Sequence, residues 1–225
     1  MFNWPPLESN PEIFTDYMRQ CGLPSAWAFG EIYGFDEDLL AFVPQPVLAV
    51  IVNAEFLKKA EDRVRGDLAV ASQYYMKQTN VLDNACGVIA CIHAVLNNIG
   101  DGKIALSEGS KLSNYLNQTK DVTPAERATI LENFTDFQQV HKGYAAQGQS
   151  NQAAEQSQVK HHFTAFVINA NGQLIELDGC KQGPLVIQEQ CDDVLRGAVA
   201  EMQRRLAGGE VSESLSMITL NGSPE

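Results

Sequence analysis

Asn84-Ala85-Cys86-Gly87 stands at the head of one apolar stretch, His162 stands before a second, and Asp178 closes the segment that follows it. Cysteine, histidine and aspartate are the residue types that a thiol nucleophile requires. Cysteine attacks as the thiolate, so it needs surroundings that favour an anion. An imidazole can take the thiol proton and later hand it to a leaving amine. A carboxylate fixes the tautomer and orientation of that imidazole.

Each residue must be positioned by an element. Residues 86–98, CGVIACIHAVLNN, read as a buried helix, with Val88, Ile89, Ala90, Ile92, Ala94, Val95 and Leu96 at mixed helical spacing. Asp83 and Asn84 are N-cap types, which places Cys86 in the first turn. There the unpaired amides and the helix dipole favour negative charge. Gly87 is expected to leave the backbone beside the sulfur open to a substrate. A free cysteine more often packs as a small apolar residue, and Cys91 suits that role better. His93 reads as a satisfied core residue.

Residues 162–178, HFTAFVINANGQLIELD, place two apolar runs around Asn169-Ala170-Asn171-Gly172, a hairpin signal. A turn centred on Ala170-Asn171 sets Phe163 across from Asp178, with His162 one rung away. Taken singly, Asp178 before Gly179 reads as a turn residue and His162 as a strand-end surface histidine. Taken with Cys86, imidazole and carboxylate at one end of a single hairpin favour the catalytic reading.

The other segments supply an α/β frame. Residues 9–22 read as a helix capped by Asn10, opened by Pro11 and stopped by Gly22. PVLAVIV at 46–52 is a strand buried on both faces. The charged residues 55–65 read as helical. Thr123-Pro124-Ala125-Glu126 is a capping box that starts a helix through about Val140. Residues 191–206 form a helix with Val194, Leu195, Ala198 and Met202 on one face, and residues 215–220 form a strand. Interleaved strands and helices imply an α/β sheet wrapped by helices. Residues 143–160, GYAAQGQSNQAAEQSQVK, are too poor in apolar side chains to order themselves. They end beside His162 and read as a flexible gate or a plain linker.

The 225 residues, 44% of them hydrophobic, suit one large domain or two small ones. Sixteen Lys and Arg against 28 Asp and Glu leave a net charge of −12. That balance speaks against nucleic acid and anionic membranes and for a basic partner. No apolar run approaches the ~18 residues of a membrane span, and MFNWPPLESNPE lacks the regions of a signal peptide. Five irregularly spaced cysteines fit free thiols in a reducing compartment. Neither a CxxC pair nor a histidine cluster points to zinc, and no cofactor is expected.

These residues resemble a known family, the ubiquitin C-terminal hydrolases, which are papain-like cysteine proteases. The resemblance runs through Trp4-Pro5-Pro6-Leu7-Glu8-Ser9-Asn10-Pro11-Glu12, Phe35-Asp36-Glu37, Val43-Pro44-Gln45-Pro46-Val47 and Tyr75-Met76-Lys77-Gln78-Thr79. It continues through Asn84-Ala85-Cys86-Gly87, His162-Phe163 and Glu176-Leu177-Asp178-Gly179, and is to the short single-domain members. It implies one catalytic domain over residues 1–225, with a central antiparallel sheet surrounded by helices. It also implies a knotted chain whose crossover loop, 143–160, arches over the site. Cys86 would be the nucleophile, His162 the base and Asp178 its orienting partner, with Gln78 and the Cys86 amide forming the oxyanion hole. His161 carries no role. Glu8, Glu12, Glu31 and, less directly, Glu213 match acidic positions that receive the Arg-bearing tail of ubiquitin. The implied partner is ubiquitin or a ubiquitin-like relative, and the implied state is a cytoplasmic monomer, with the nucleus as a second location.

The chain departs from the family in a longer link between Gln78 and Cys86. The added residues are expected to bulge outward, because the strand before Gln78 and the helix after it are anchored by packing. The rival reading is a ubiquitin-binding module whose catalysis is weakened by this insertion.

Overall fold

The structure of the protein, a computed structural model, describes residues 2–100, 103–145 and 161–223. Its centre is a six-stranded sheet of β1 (Trp27–Glu31), β2 (Val47–Phe56), β3 (His161–Ile168), β4 (Leu174–Leu177), β5 (Leu185–Gln188) and β6 (Val211–Gly222). The strands lie in the order β1-β6-β2-β3-β4-β5, and every neighbouring pair is antiparallel. The central strand β2 explains the unbroken apolar run of 46–52. Ala49 and Ile51 enter the core on one face, while Val50, Val52 and Ala54 enter the core on the other.

The first face is covered by α1 (Pro11–Cys21), α4 (Cys86–Leu96), α5 (Lys111–Thr119), α6 (Pro124–Glu132) and α7 (Thr135–Ala145). All eleven residues of α4 are buried, so this helix is apolar all round rather than amphipathic. The second face is covered by α8 (Val194–Ala207), whose Val194, Leu195, Ala198 and Met202 are buried as a group. Two short helices, α2 (Glu37–Leu40) and α3 (Lys59–Arg63), lie in the connections on either side of β2.

Helix ends follow local chemistry where the sequence carries it. Asn10 accepts from the amides of Glu12 and Ile13, and Gly22 closes α1 at φ +121°. The Thr123–Glu126 capping box forms in both directions. The single helix expected from there to Val140 is broken at Asn133-Phe134. Gln138 donates to the Glu132 carbonyl at 2.7 Å, and Phe134 and Phe137 turn into an aromatic cluster around Tyr115. The charged stretch 55–65 is helical only over α3, because β2 runs on to Phe56.

The hairpin of β3 and β4 differs from its expected register by one residue. Ala165 faces Leu177 and Ile168 faces Leu174. The turn spends an extra residue because Asn169 Oδ1 accepts from the amides of Asn171 and Gln173, and Gly172 takes φ +73°. Continued by one step, this ladder sets Asp178 across from Thr164 rather than Phe163. Side chains alternate along a strand, so a one-residue slip exchanges faces. The observed register therefore puts Asp178 on the face shared by Thr164 and His162, whereas the expected one puts it on the opposite face.

Candidate active site

Cys86, His162, Asp178 and Gln78 line one cavity of about 250 Å³. Cys86 is the first residue of α4 and 6% exposed. The residue before it, Ala85, holds the N-cap position and makes no side-chain cap, so Asp83 and Asn84 do not cap this helix. Asn84 lines the cavity instead. Gly87 does not open the substrate side as expected. A Cβ there would meet the rings of Phe163 and Phe14 at 3.5 and 3.6 Å, which is the core side of the helix.

His162 Nε2 lies 2.7 Å from Asp178 Oδ1, a diagonal contact between residues on one face of neighbouring strands. The same oxygen accepts from the Cys180 amide at 2.9 Å. Phe56 packs edge-on to the imidazole, with ring centroids 6.2 Å apart. Burial works against a charged imidazole. The charge and hydrogen bond of Asp178, with the thiols of Cys180 and Cys86 beside them, override it and hold His162 well above its ordinary range. Asp178 responds in reverse. Burial disfavours its charge, yet His162, Lys181 and the Cys180 amide hold it well below the usual carboxylate range. The thiols of Cys21 and Cys91 lie in the core, away from this cavity. Burial pushes Cys21 up to about 12 and Cys91 well above its ordinary value, which leaves both as core residues.

Gln78 reaches the cavity on a segment that is irregular rather than a strand. Its backbone groups are taken up by side chains and by the turn after β4. Met76 donates to His93 Nε2 at 3.1 Å, Arg127 donates to the Tyr75 carbonyl at 2.7 Å, and Asn97 binds the Gln73 and Tyr74 amides. Serving the Met76 amide keeps His93 neutral, and burial pushes its imidazole down to about 4. Gln78 N donates to the Gly179 carbonyl at 3.0 Å. A Cβ on Gly179 would lie 2.7 Å from the Gln78 amide, so only glycine allows this approach. The longer link exposes Asn80 and Asp83 and leaves Gln78 at the cavity with Cys86. It forms a 3₁₀ turn over Asn80–Leu82 with Leu82 fully buried, and the Asp83 carbonyl accepts from Gln78 Nε2 at 2.8 Å. One amide proton of Gln78 is engaged there, and its second remains for the cavity.

The acidic residues stand away from this cavity. Glu213 lines a separate groove of about 260 Å³ with Ile32, Tyr33, Phe35, Leu215 and Met217. Glu31 is exposed at the end of β1, across from Ile218. Glu8 precedes Ser9, whose hydroxyl meets that of Ser216 at 2.7 Å. Glu12 is exposed in the first turn of α1. Ser214, the residue after Glu213, contacts His161 Nε2 at 3.0 Å, and His161 lines the cavity. The knotted course and the crossover loop expected over 143–160 depend on residues 146–160, which lie outside the described residues; Gly143–Ala145 end α7.

Among the described residues, His162, Asp178 and Cys180 place one metal-donor atom each within 4.8 Å of one another. Two ligands on one tetrahedral ion stand about 3.3 Å apart, and the 2.7 Å contact between Nε2 and Oδ1 is already closed as a hydrogen bond. Sequence patterns did not disclose Lys181. It is 1% exposed, with Nζ 3.5 Å from Asp178 Oδ2. Its one sequence signal is an amphipathic cation three residues after the aspartate.

A thiol at the head of a buried helix, beside an imidazole–carboxylate pair on an antiparallel sheet, is the arrangement of an α/β thiol hydrolase. Residues 4–207 match the family described as ubiquitin carboxyl-terminal hydrolase, family 1, and the chain belongs to that family. It is 34% identical over 205 residues to the ubiquitin carboxyl-terminal hydrolase of Aplysia californica, covering 90% of this chain and 94% of that one. It is 38% identical over 188 residues to the probable ubiquitin carboxyl-terminal hydrolase of Dictyostelium discoideum, covering 80% and 72%. The fold is shared with the catalytic domain of Trichinella spiralis UCH37, solved bound to ubiquitin vinyl methyl ester. The two superpose with a TM-score of 0.76 at 23% identity, over 98% of this chain and 96% of that chain.

Proposed function

We propose that this protein is a deubiquitinating thiol hydrolase in which Cys86, His162 and Asp178 act together on the bond after the terminal glycine of ubiquitin. The observation that carries the assignment is the 2.7 Å contact of His162 with Asp178 in the cavity that Cys86 also lines. Membership of the hydrolase family supports the reaction and the substrate.

The thiol of Cys86 gives its proton to His162, which Asp178 holds in orientation through Nε2. The resulting pair of thiolate and imidazolium suits an imidazole held above its ordinary range. The thiolate attacks the glycine carbonyl, and the oxyanion is received by the Cys86 amide and the free amide proton of Gln78. His162 then protonates the leaving group, and water clears the acyl-enzyme. Glu213 in its groove, with Glu31 on β1, Glu12 on α1 and Glu8 before that helix, offers acidic groups to a basic tail. The proposed leaving groups are small adducts and short or unfolded extensions.

A second reading, a ubiquitin-binding module with weakened catalysis, draws on the bond from Gln78 to Asp83 within the insertion. Ubiquitin carrying a C-terminal electrophile separates the two. Rapid labelling at Cys86, absent in Cys86→Ala, supports the enzyme; binding without labelling supports the module.

A further inference from the structure

We propose that Lys181 is a positioning residue of this active site: its buried ammonium holds the Asp178 oxygen that does not face His162, and ties that carboxylate through Asp62 to the helix that walls the cavity. The proposal rests on Asp178 being the orienting carboxylate.

The two oxygens of Asp178 have different partners. Oδ1 takes His162 Nε2 and the Cys180 amide at 2.7 and 2.9 Å. Oδ2 faces Lys181 Nζ at 3.5 Å. A carboxylate held at one oxygen can still rotate about its Cβ–Cγ bond; a cation on the other oxygen stops that rotation. His162 then meets an acceptor of fixed direction.

Lys181 is built into this place from both ends. Its amide donates to the Asp178 carbonyl at 3.0 Å, which closes the turn Asp178-Gly179-Cys180-Lys181. Its carbonyl accepts from Tyr75 Oη at 3.0 Å and from Lys77 Nζ. Its side chain is fully buried, and the ammonium lies over the Phe56 ring, 5.4 Å from the centroid. A buried ammonium costs several kcal/mol unless it is paired. Three carboxylates surround this one: Asp178, Glu176 at 3.7 Å and Asp62 in direct contact. Glu176 also holds Arg205 of α8 at 2.7 Å, so the cluster is anchored to the second face of the sheet.

Asp62 gives the cluster a second consequence. None of the residues of α3 is buried, yet Lys59, Asp62 and Arg63 line the cavity with Cys86. The contact between Asp62 and Lys181 therefore fastens an outlying wall to the catalytic carboxylate.

The test is a double-mutant cycle. Lys181→Met is made in the native chain and in Asp178→Asn, and kcat and KM are measured on ubiquitin bearing a C-terminal fluorogenic amide. Urea unfolding follows each protein. A positioning role predicts a kcat loss of about tenfold in the native chain, KM within about twofold, and less than about twofold further loss in Asp178→Asn. A purely structural role lowers activity equally in both backgrounds, and that result overturns the proposal, as does an unimpaired Lys181→Met. If Lys181→Met does not fold, Asp62→Asn replaces it under the same criterion, with an expected loss of about threefold in the native chain alone. An unimpaired Asp178→Asn overturns the assignment of Asp178 and the proposal with it. An impaired one with equal losses overturns the proposal alone.

Discussion

Cys86 differs from its neighbour in sequence, Cys91, by place rather than by type. One opens α4 at a cavity, while the other is sealed within the core with its thiol pushed well above the ordinary value. Cys86→Ala should abolish hydrolysis and leave ubiquitin affinity nearly unchanged by calorimetry, because the tail is held by other contacts. Asp178→Asn should lower kcat by about 10²–10⁴, with little change in KM. Unchanged turnover would return Asp178 to the status of a turn residue. Gln78→Ala should lower kcat by about 10²–10³ if its free amide proton serves the oxyanion. A kinetically silent variant would mean that the bond to Asp83 is the whole use of that side chain.

Strand register decides whether imidazole and carboxylate meet. The Asn169–Gly172 turn spends one residue more than the simplest hairpin reading, and that residue brings Asp178 to the face of His162. Deleting Ala170 should shift the ladder back, turn Asp178 toward the face of Phe163, and lower turnover as far as Asp178→Asn does. Ubiquitin binding should persist, and retained turnover in the deletion would show that the pair does not depend on this register. The break between α6 and α7 has a similar origin. Phe134 and Phe137 gain aromatic contacts around Tyr115 that a continuous helix would forgo.

Charge acts across the protein. With a net charge of −12, association with a basic ligand should be steered and should slow as salt rises. The Debye length is ~10 Å at 0.1 M. A ubiquitin association rate that stays flat from low to high salt in stopped flow would remove the acidic residues from recognition. Stability should fall on mild acidification for a separate reason. His93 and His141 are fully buried, and burial lowers both from 6.5 to about 4. Between these values the unfolded chain binds protons that the folded chain refuses, so stability present above pH 6.5 is lost toward pH 4, on the order of 3 kcal/mol per histidine. His162 adds nothing to this slope. Its value is raised, so its stabilisation is complete below pH 6.5 and is lost only as pH rises through its folded value. Asp178 and Glu176 lie below their ordinary values, and their contribution is lost only below about pH 4. Urea midpoints at pH 7 and pH 5 should show the loss, and His141→Gln should reduce it.

Local signals in the chain were enough for the caps of α1 and α6, the two-faced strand β2, the buried helix α4 and the identity of a thiol, imidazole and carboxylate in order. Caps, periodicity and turn residues act over a few positions, so they can be read without the fold. The register of β3 and β4, the 3₁₀ turn at Asn80–Leu82, the glycine needed at Gly179 against Gln78, and the burial of Lys181 could not be read that way. Each depends on which distant group arrives alongside, and the alternatives differ locally by a single residue or a single rotamer. Packing of both sheet faces and the pairing of buried charges select among them, and both of those are properties of the assembled core.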